Sequence, residues 1–335
     1  MDKTVVIIAE AGVNHNGDME TAKRLIEVAA ASGADYVKFQ TFKADTLATS
    51  DAPKAEYQKQ GSADQSQLEM LRSLELSKEQ HLELMAHSEV SGIKFLSTGF
   101  DTSSLDMLFE LGVRLFKVPS GELTNLPFLE HMARFKCPVY LSTGMATLDE
   151  VKWAVGILFS AGLEKEKISV LHCTTAYPTP IGQANLRAIK TLQQELRLPV
   201  GYSDHTTGVT AALSAVALGA TIIEKHFTIS REQEGPDHRA SLEPDELASL
   251  VSGIREVSDS LGTGVKSPQE CELENIPIAR KSIVASRAIE VGEEFTEDNL
   301  TTKRPGSGIS PTRWYELLGK RAIRNFSSDE MITLE

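Results

Sequence analysis

Long apolar runs, cysteine and positive charge are all scarce in this chain, and each shortage removes a class of protein. No stretch of the 335 residues approaches the ~18 to 20 consecutive apolar positions of a membrane span. The opening MDKTVVIIAEAG turns polar too soon for a secretory signal, so the expected compartment is the cytoplasm. The three cysteines, Cys137, Cys173 and Cys271, are scattered without metal-site spacing. Two of them fall in predicted strands, which points to buried thiols rather than disulfides. With 34 Lys and Arg against 47 Asp and Glu the net charge is −13, which leaves no basic surface for a nucleic-acid backbone. Lysines among apolar neighbours therefore need a local reason. There is also no repeat at a solenoid period, no low-complexity tract and no hairpin signal.

What the chain does have is a short apolar stretch that stops on polar residues, eight times within the first 230 positions. The stretches are VVIIAE (to Glu10), YVKFQ (to Gln40), IKFLST (to Thr98), RLFKVPSGE (to Glu122), VYLST (to Thr143), ISVLHCTT (to Thr175), VGYSDH (to His205) and TIIEKH (to His226). This pattern predicts an α/β fold, a (β/α)8 TIM barrel, whose reactive side chains collect at the carboxyl ends of the strands. The intervening segments read as amphipathic helices. Thr147 with Glu150 and Ser77 with Gln80 fit capping boxes, and Gly33, Gly92, Gly112, Gly162 and Gly219 stand where αβ turns favour positive φ. One connection, 42–91, is unusually long and polar in its first half. As a βα connection it lies over the active-site face, either as a substrate lid or as a solvated excursion. The expected organisation is a barrel over 1–264, a linker of Gly, Pro and charge over 265–281, and a small, mainly β domain over 282–335, too short to be comfortable alone.

His205 and His226 end consecutive strands, which lie about 4.8 Å apart, so both imidazoles can meet above the barrel. Two histidines with open positions suit a divalent metal acting as a Lewis acid. Lys38 and Lys117 sit near strand ends with hydroxyls from Ser97, Thr98, Ser120, Ser142, Thr143 and Ser203 on the same rim. Together they read as an anion clamp suited to phosphate. Taken singly, each hydroxyl is as well explained by strand-end capping. Glu10 and Glu122 can orient water or transfer protons, or they can form salt bridges to the neighbouring lysines. Asn14 and His15 follow Glu10 in a polar loop that can shape the same rim.

At these positions the chain resembles the sialic-acid synthases, which condense phosphoenolpyruvate with an N-acylated hexosamine. The resemblance rests on EAGVNHNGD, VKFQTFKAD, KAEYQ, QLEML, FLSTGFD, FKVPSGE, LSTGM, LHCTTAYPTP, GYSDHT, EKHFT, GPDHRASLEPDEL and KRPGSGISP, and so spans nearly the whole length. The tail resembles the antifreeze-like, or SAF, domain of that family. The resemblance implies that His205 and His226 hold a divalent metal, usually manganese, with magnesium or cobalt as alternatives. It implies that Lys38, Lys117, Thr98, Ser120, Ser142 and Ser203 contact phosphoenolpyruvate. Gln40 and Tyr177 then line the sugar pocket, and Glu10, Glu122 and Asp237 surround the sugar and the water. Arg304 of KRPG is expected to reach the barrel of a partner in a domain-exchanged homodimer. N-acetylmannosamine is the first acceptor expected, giving N-acetylneuraminate; the alternative is 2,4-diacetamido-2,4,6-trideoxymannose, giving a legionaminate. Where the family usually has STPF this chain has STGF, and Gly99 is expected to loosen the rim near Thr98.

Two other classes compete. A metal-free class I aldolase would use Lys117 or Lys225 as a Schiff-base nucleophile. A non-enzymatic carbohydrate-binding module would account for the tail alone, but leaves the converging polar residues of the barrel unused.

Overall fold

A computed structural model describes residues 5–49 and 66–334. The chain forms two compact units, one ending at Gly262 and the other starting at Thr263. In the first, eight parallel strands close into a barrel in sequential order. They are β1 (Val6–Gly12), β2 (Tyr36–Thr41), β3 (Lys94–Gly99), β4 (Phe116–Val118), β5 (Val139–Ser142), β6 (Ile168–Cys173), β7 (Val200–Asp204) and β8 (Ile222–His226). Both expected capping boxes are present, and the five turn glycines before strands all have positive φ. The barrel-closing helix runs over Pro244–Ser260. No helix of the described residues is long and apolar enough to cross a membrane.

Strand alternation explains how the site is positioned. Ile8, Leu96, Leu171 and Ile222 pack together as a buried layer inside the barrel. Two residues further along three of those strands stand Glu10, Thr98 and Glu224, which the period-2 geometry aims in the same direction. A polar layer thus sits directly on an apolar floor. Gly201 is part of that floor, because a Cβ there would lie 2.6 Å from Leu171 Cδ2 and 2.7 Å from Ile222 Cβ.

The structure differs from the sequence expectation at three places. β4 stops at Val118, because Pro119 has no N–H to continue the ladder, and Glu122 ends a 3-10 turn over Ser120–Glu122 rather than a strand. Ser97 points away from the barrel interior: its hydroxyl meets Thr41 Oγ1 at 2.6 Å, and Thr41 in turn meets the buried His81 at 2.7 Å. Gly99 is not a loose point. Leu105 Cδ2 occupies the space 2.7 Å from where a Cβ would stand, and Leu105 is fully buried. Gly99→Ala is therefore expected to cost about 1–3 kcal/mol by overpacking, measured as a lower denaturation midpoint at unchanged slope; an unchanged midpoint would contradict this.

The long connection contains a helix over Gln67–Leu74, capped by a Ser66/Glu69 box. The KAEYQ motif lies outside the described residues. The second unit pairs β9 (Ser282–Ala285) antiparallel with β10 (Leu300–Lys303), over a small core including Ile283, Phe295, Leu317 and Phe326. Arg304 follows β10, and its Nε donates to the Ala279 carbonyl at 3.0 Å. The buried Ser282 hydroxyl holds the loop after it, donating to the Pro305 carbonyl at 2.6 Å and accepting from the Gly308 amide at 2.8 Å.

Candidate active site

At the carboxyl ends of the strands, four charged side chains are buried together. Lys38 Nζ lies 2.6 Å from Glu10 Oε2 and 3.6 Å from Glu224 Oε2, while Lys117 Nζ lies 2.9 Å from Glu224 Oε1. The register produces this arrangement, since Glu10 pairs with Lys38 on one side and His226 on the other. All four side chains are at most 5% exposed. Two ammonium and two carboxylate groups compensate one another, which is how a barrel can keep two lysines dry. Burial pushes the Glu10 carboxyl up to about 7, against the pull of Lys38. Glu224 is equally buried, yet Lys117 and Lys38 hold it well below the usual carboxylate range. Lys38, despite its burial, is held above the ordinary lysine value by Glu10 and Glu224.

Hydroxyls ring this cluster. Lys38 donates to Thr98 Oγ1 at 2.7 Å, and Ser203 Oγ donates to Glu224 Oε1 at 2.8 Å. Ser120 Oγ accepts from the Gly144 amide at 3.0 Å, while the buried Ser142 Oγ has no partner among the described residues. Thr143 is spent on capping, donating to the Leu171 carbonyl at 3.0 Å. Of the six hydroxyls read as an anion clamp, Thr98 and Ser203 touch the cluster directly, Ser120 and Ser142 stand at neighbouring strand ends, and Ser97 and Thr143 serve the scaffold.

Beside the cluster, His205 and His226 have ring centroids 5.6 Å apart, with the Tyr177 ring 4.2 Å and 5.7 Å from them. His205 Nδ1 donates to the Thr174 carbonyl at 2.7 Å, so its Nε2 carries the lone pair. Burial lowers the His205 pKa to about 4 and that of His226 well below its usual value. Both imidazoles are thus neutral, the form a metal requires. Among the described residues His226 Nδ1 is buried without a hydrogen-bond partner, and it lies 3.8 Å from Asp237 Oδ2. Asp237, pushed up to about 6 by burial, comes from the loop after β8. Among the described residues no set of three His, Cys, Asp or Glu side chains forms a complete cage. The pair fits a divalent metal that keeps positions open for substrate oxygen or water.

A cavity of about 360 Å³ opens next to this pair, lined on its polar side by Gln40, Glu122, Tyr177, His226 and Asp237. Glu122 is half-exposed at its edge and accepts from Asn125 Nδ2 at 2.5 Å; among the described residues it forms no salt bridge to a lysine, whereas Glu10 does. Asn14 and His15 are buried staples rather than rim groups. Asn14 Nδ2 donates to the Phe227 carbonyl at 2.8 Å and to Ser241 at 3.0 Å, and His15 Nδ1 accepts from the Gly17 amide at 3.0 Å. Lys225 is aimed out of the barrel by the same alternation that turns Glu224 and His226 inward, and pairs with Asp204 at 2.8 Å. A Schiff base at Lys225 would therefore form behind the site. Glu224 was not singled out in the sequence, although it stands two residues before His226 on β8 and so shares its direction.

The buried clusters predict a pH dependence for anion binding. Below about 7 Glu10 is neutral and the four groups carry one net positive charge; above it they carry none. Affinity for a phosphorylated carboxylate should therefore fall as pH rises through that value in the native protein, and the fall should be absent in Glu10→Gln. Calorimetric titration with phosphoenolpyruvate on either side of neutrality checks this, the difference between the two proteins removing the ligand's own titration. Parallel pH profiles would contradict it.

A closed parallel barrel carries this compensated cluster of two lysines and two carboxylates beside two neutral imidazoles, an arrangement suited to an enzyme with a phosphorylated substrate and a polar second one. The chain belongs to the NeuB family, whose model matches residues 25–266, and a SAF domain matches residues 280–335. It is 52% identical to the N,N'-diacetyllegionaminic acid synthase of Campylobacter jejuni, covering 98% of this chain and 99% of that protein. It is 46% identical to the enzyme of the same name from Legionella pneumophila, over 99% and 94% of the two chains. Among solved structures, the sialic acid synthetase of Leptospira borgpetersenii is 37% identical, with a TM-score of 0.72 over 81% of this chain and 90% of that one.

Proposed function

We propose that this enzyme condenses phosphoenolpyruvate with 2,4-diacetamido-2,4,6-trideoxymannose and water, giving N,N'-diacetyllegionaminate and phosphate in the cytoplasm. The observation that carries the reading is the buried Glu10–Lys38–Glu224–Lys117 cluster next to His205 and His226. The choice of acceptor is supported by the names of the two relatives at 52% and 46% identity. It reverses the order of the sequence expectation, which put N-acetylmannosamine first.

In this reading Lys38 and Lys117 turn from their carboxylates toward phosphate and carboxylate oxygens, with Thr98, Ser120, Ser142 and Ser203 donating around them. His205 and His226 would hold manganese, magnesium or cobalt, which supplies Lewis acidity toward the acceptor's carbonyl oxygen. Gln40, Tyr177 and Asp237 orient the open-chain sugar so that its carbon 1 faces carbon 3 of phosphoenolpyruvate. A carbon–carbon bond forms there, and water adds at carbon 2. The carbon–oxygen bond to phosphate then breaks, the water oxygen remaining as the new ketone. Of the two water protons, one goes to the former aldehyde oxygen and the other leaves with phosphate. Glu10, buried beside Lys38 and able to exchange a proton near neutrality, is better placed to orient that water than Glu122 at the cavity edge. Phosphate release that requires the aminosugar tests the reaction.

Arg304, by the family resemblance, would come from the partner of a domain-exchanged homodimer to fix the acyl group. Mixing inactive Arg304→Ala and His226→Ala chains should then restore part of the activity through hybrid dimers. No recovery, with subunit exchange demonstrated, would mean that each tail serves its own barrel.

A further inference from the structure

The acceptor cavity has a second side with different chemistry. Its polar residues Glu122, Tyr177, His226 and Asp237 come from the ends of β4, β6 and β8 and the loops after them, with Gln40 added from the end of β2. Its apolar lining comes from the other sector of the barrel: Val13 after β1, Phe42 after β2, Phe100 after β3, and the helix Gln67–Leu74. Met70, Leu71 and Leu74 line the cavity together because spacings of one, three and four residues put them on one helical face. Phe42 and Phe100 meet edge to face with centroids 6.2 Å apart, and Val13, Phe42, Met70 and Leu74 form a continuous buried cluster.

This wall is built in place. Arg72 pairs with Asp45, and Glu75 Oε1 accepts from the Ala44 amide at 2.6 Å, tying the helix to the segment after β2. On its other flank the Ser73 carbonyl comes so close to Gly17, at φ +78°, that a Cβ there would lie 2.7 Å from the oxygen. The helix is therefore seated against both the β1 and the β2 loops.

We infer that this apolar wall reads the far end of the acceptor, selecting a sugar that ends in a methyl group over one that ends in a hydroxymethyl. The inference rests on the proposed reaction, which fixes the aldehyde end at His226 and leaves carbon 6, at the other end of the open chain, to reach the rest of the same cavity. A carbon 6 methyl gains apolar contact with Leu71 and Phe100, both half-buried. A carbon 6 hydroxyl would be stripped of water against those two side chains, neither of which offers a donor or acceptor; Gln67, at the start of the helix, is the polar group that the same helix adds to the lining. An apolar wall discriminates against one added hydroxyl by on the order of 100-fold.

The test is the ratio of kcat/KM for 2,4-diacetamido-2,4,6-trideoxymannose to that for its 6-hydroxy counterpart, 2,4-diacetamido-2,4-dideoxymannose, in the native enzyme and in Leu71→Asn and Phe100→Tyr. Each variant adds a hydrogen-bonding group to the wall and should lower the ratio by ~10-fold or more, mainly through the KM values of the two sugars. Partial unfolding would depress both sugars together and leave the ratio alone. A ratio held within about twofold in both variants, with the native enzyme active, overturns the inference while leaving the reaction standing. A native enzyme that releases phosphate with neither sugar overturns the proposed function, and this inference with it.

Discussion

Replacing His205 or His226 with alanine should lower metal-dependent turnover by on the order of 1,000-fold or more, the loss of several kcal/mol of Lewis-acid stabilisation. The barrel should survive both changes, because neither ring holds the scaffold together. His226 Nδ1 has no hydrogen-bond partner among the described residues, and His205 contributes one bond to the Thr174 carbonyl. The measurement has two readouts: phosphate release with manganese, and calorimetric binding of manganese alone. Both should be lost together in each variant at near-native melting temperature. Full activity in His205→Ala would remove the metal from the account.

The second large effect is on stability. Glu224 accepts from Lys117 at 2.9 and 3.2 Å and from Ser203 at 2.8 Å, in a fully buried position. Glu224→Ala leaves an ammonium group without its closest carboxylate, and breaking a buried pair from one side costs about 3–5 kcal/mol. The ligand-free variant should therefore unfold at markedly lower denaturant concentration than the native protein. Phosphoenolpyruvate should restore more stability to the variant than it adds to the native chain, because its oxygens supply the missing negative charge. An equal ligand-induced increment in both proteins would show that Lys117 does not face the bound anion.

Most of the barrel was legible in the sequence because each strand is a compact apolar run with an abrupt polar stop, and five of the turns before strands carry a glycine where positive φ is needed; those before β5 and β7 use Lys136 and Arg197 instead. The polar ends were read too generously at β4, where Pro119 halts the ladder and turns Glu122 out to the cavity edge. Parity was the missed signal. Ser97 and Thr98 are adjacent, so only one of them can face inward, and Lys225 lies between two inward residues. The same rule applied to EKHFT would have found Glu224 from His226. Asp237 is different: it sits in a loop after β8 whose spacing carries no direction, and only the family resemblance pointed to it. The apolar wall also escaped, because Phe42, Phe100 and the helix Gln67–Leu74 lie on three separate segments whose convergence is a property of the closed barrel.

The central claim, a metal-dependent condensation of phosphoenolpyruvate with an N-acylated aminosugar, is tested most directly by phosphate release with manganese, offering each of the two sugars with and without chelator. The expected result is release that needs the sugar, stops with chelator, and is faster with 2,4-diacetamido-2,4,6-trideoxymannose than with N-acetylmannosamine. Release that ignores chelator, or none with either sugar although phosphoenolpyruvate and manganese bind, would contradict it.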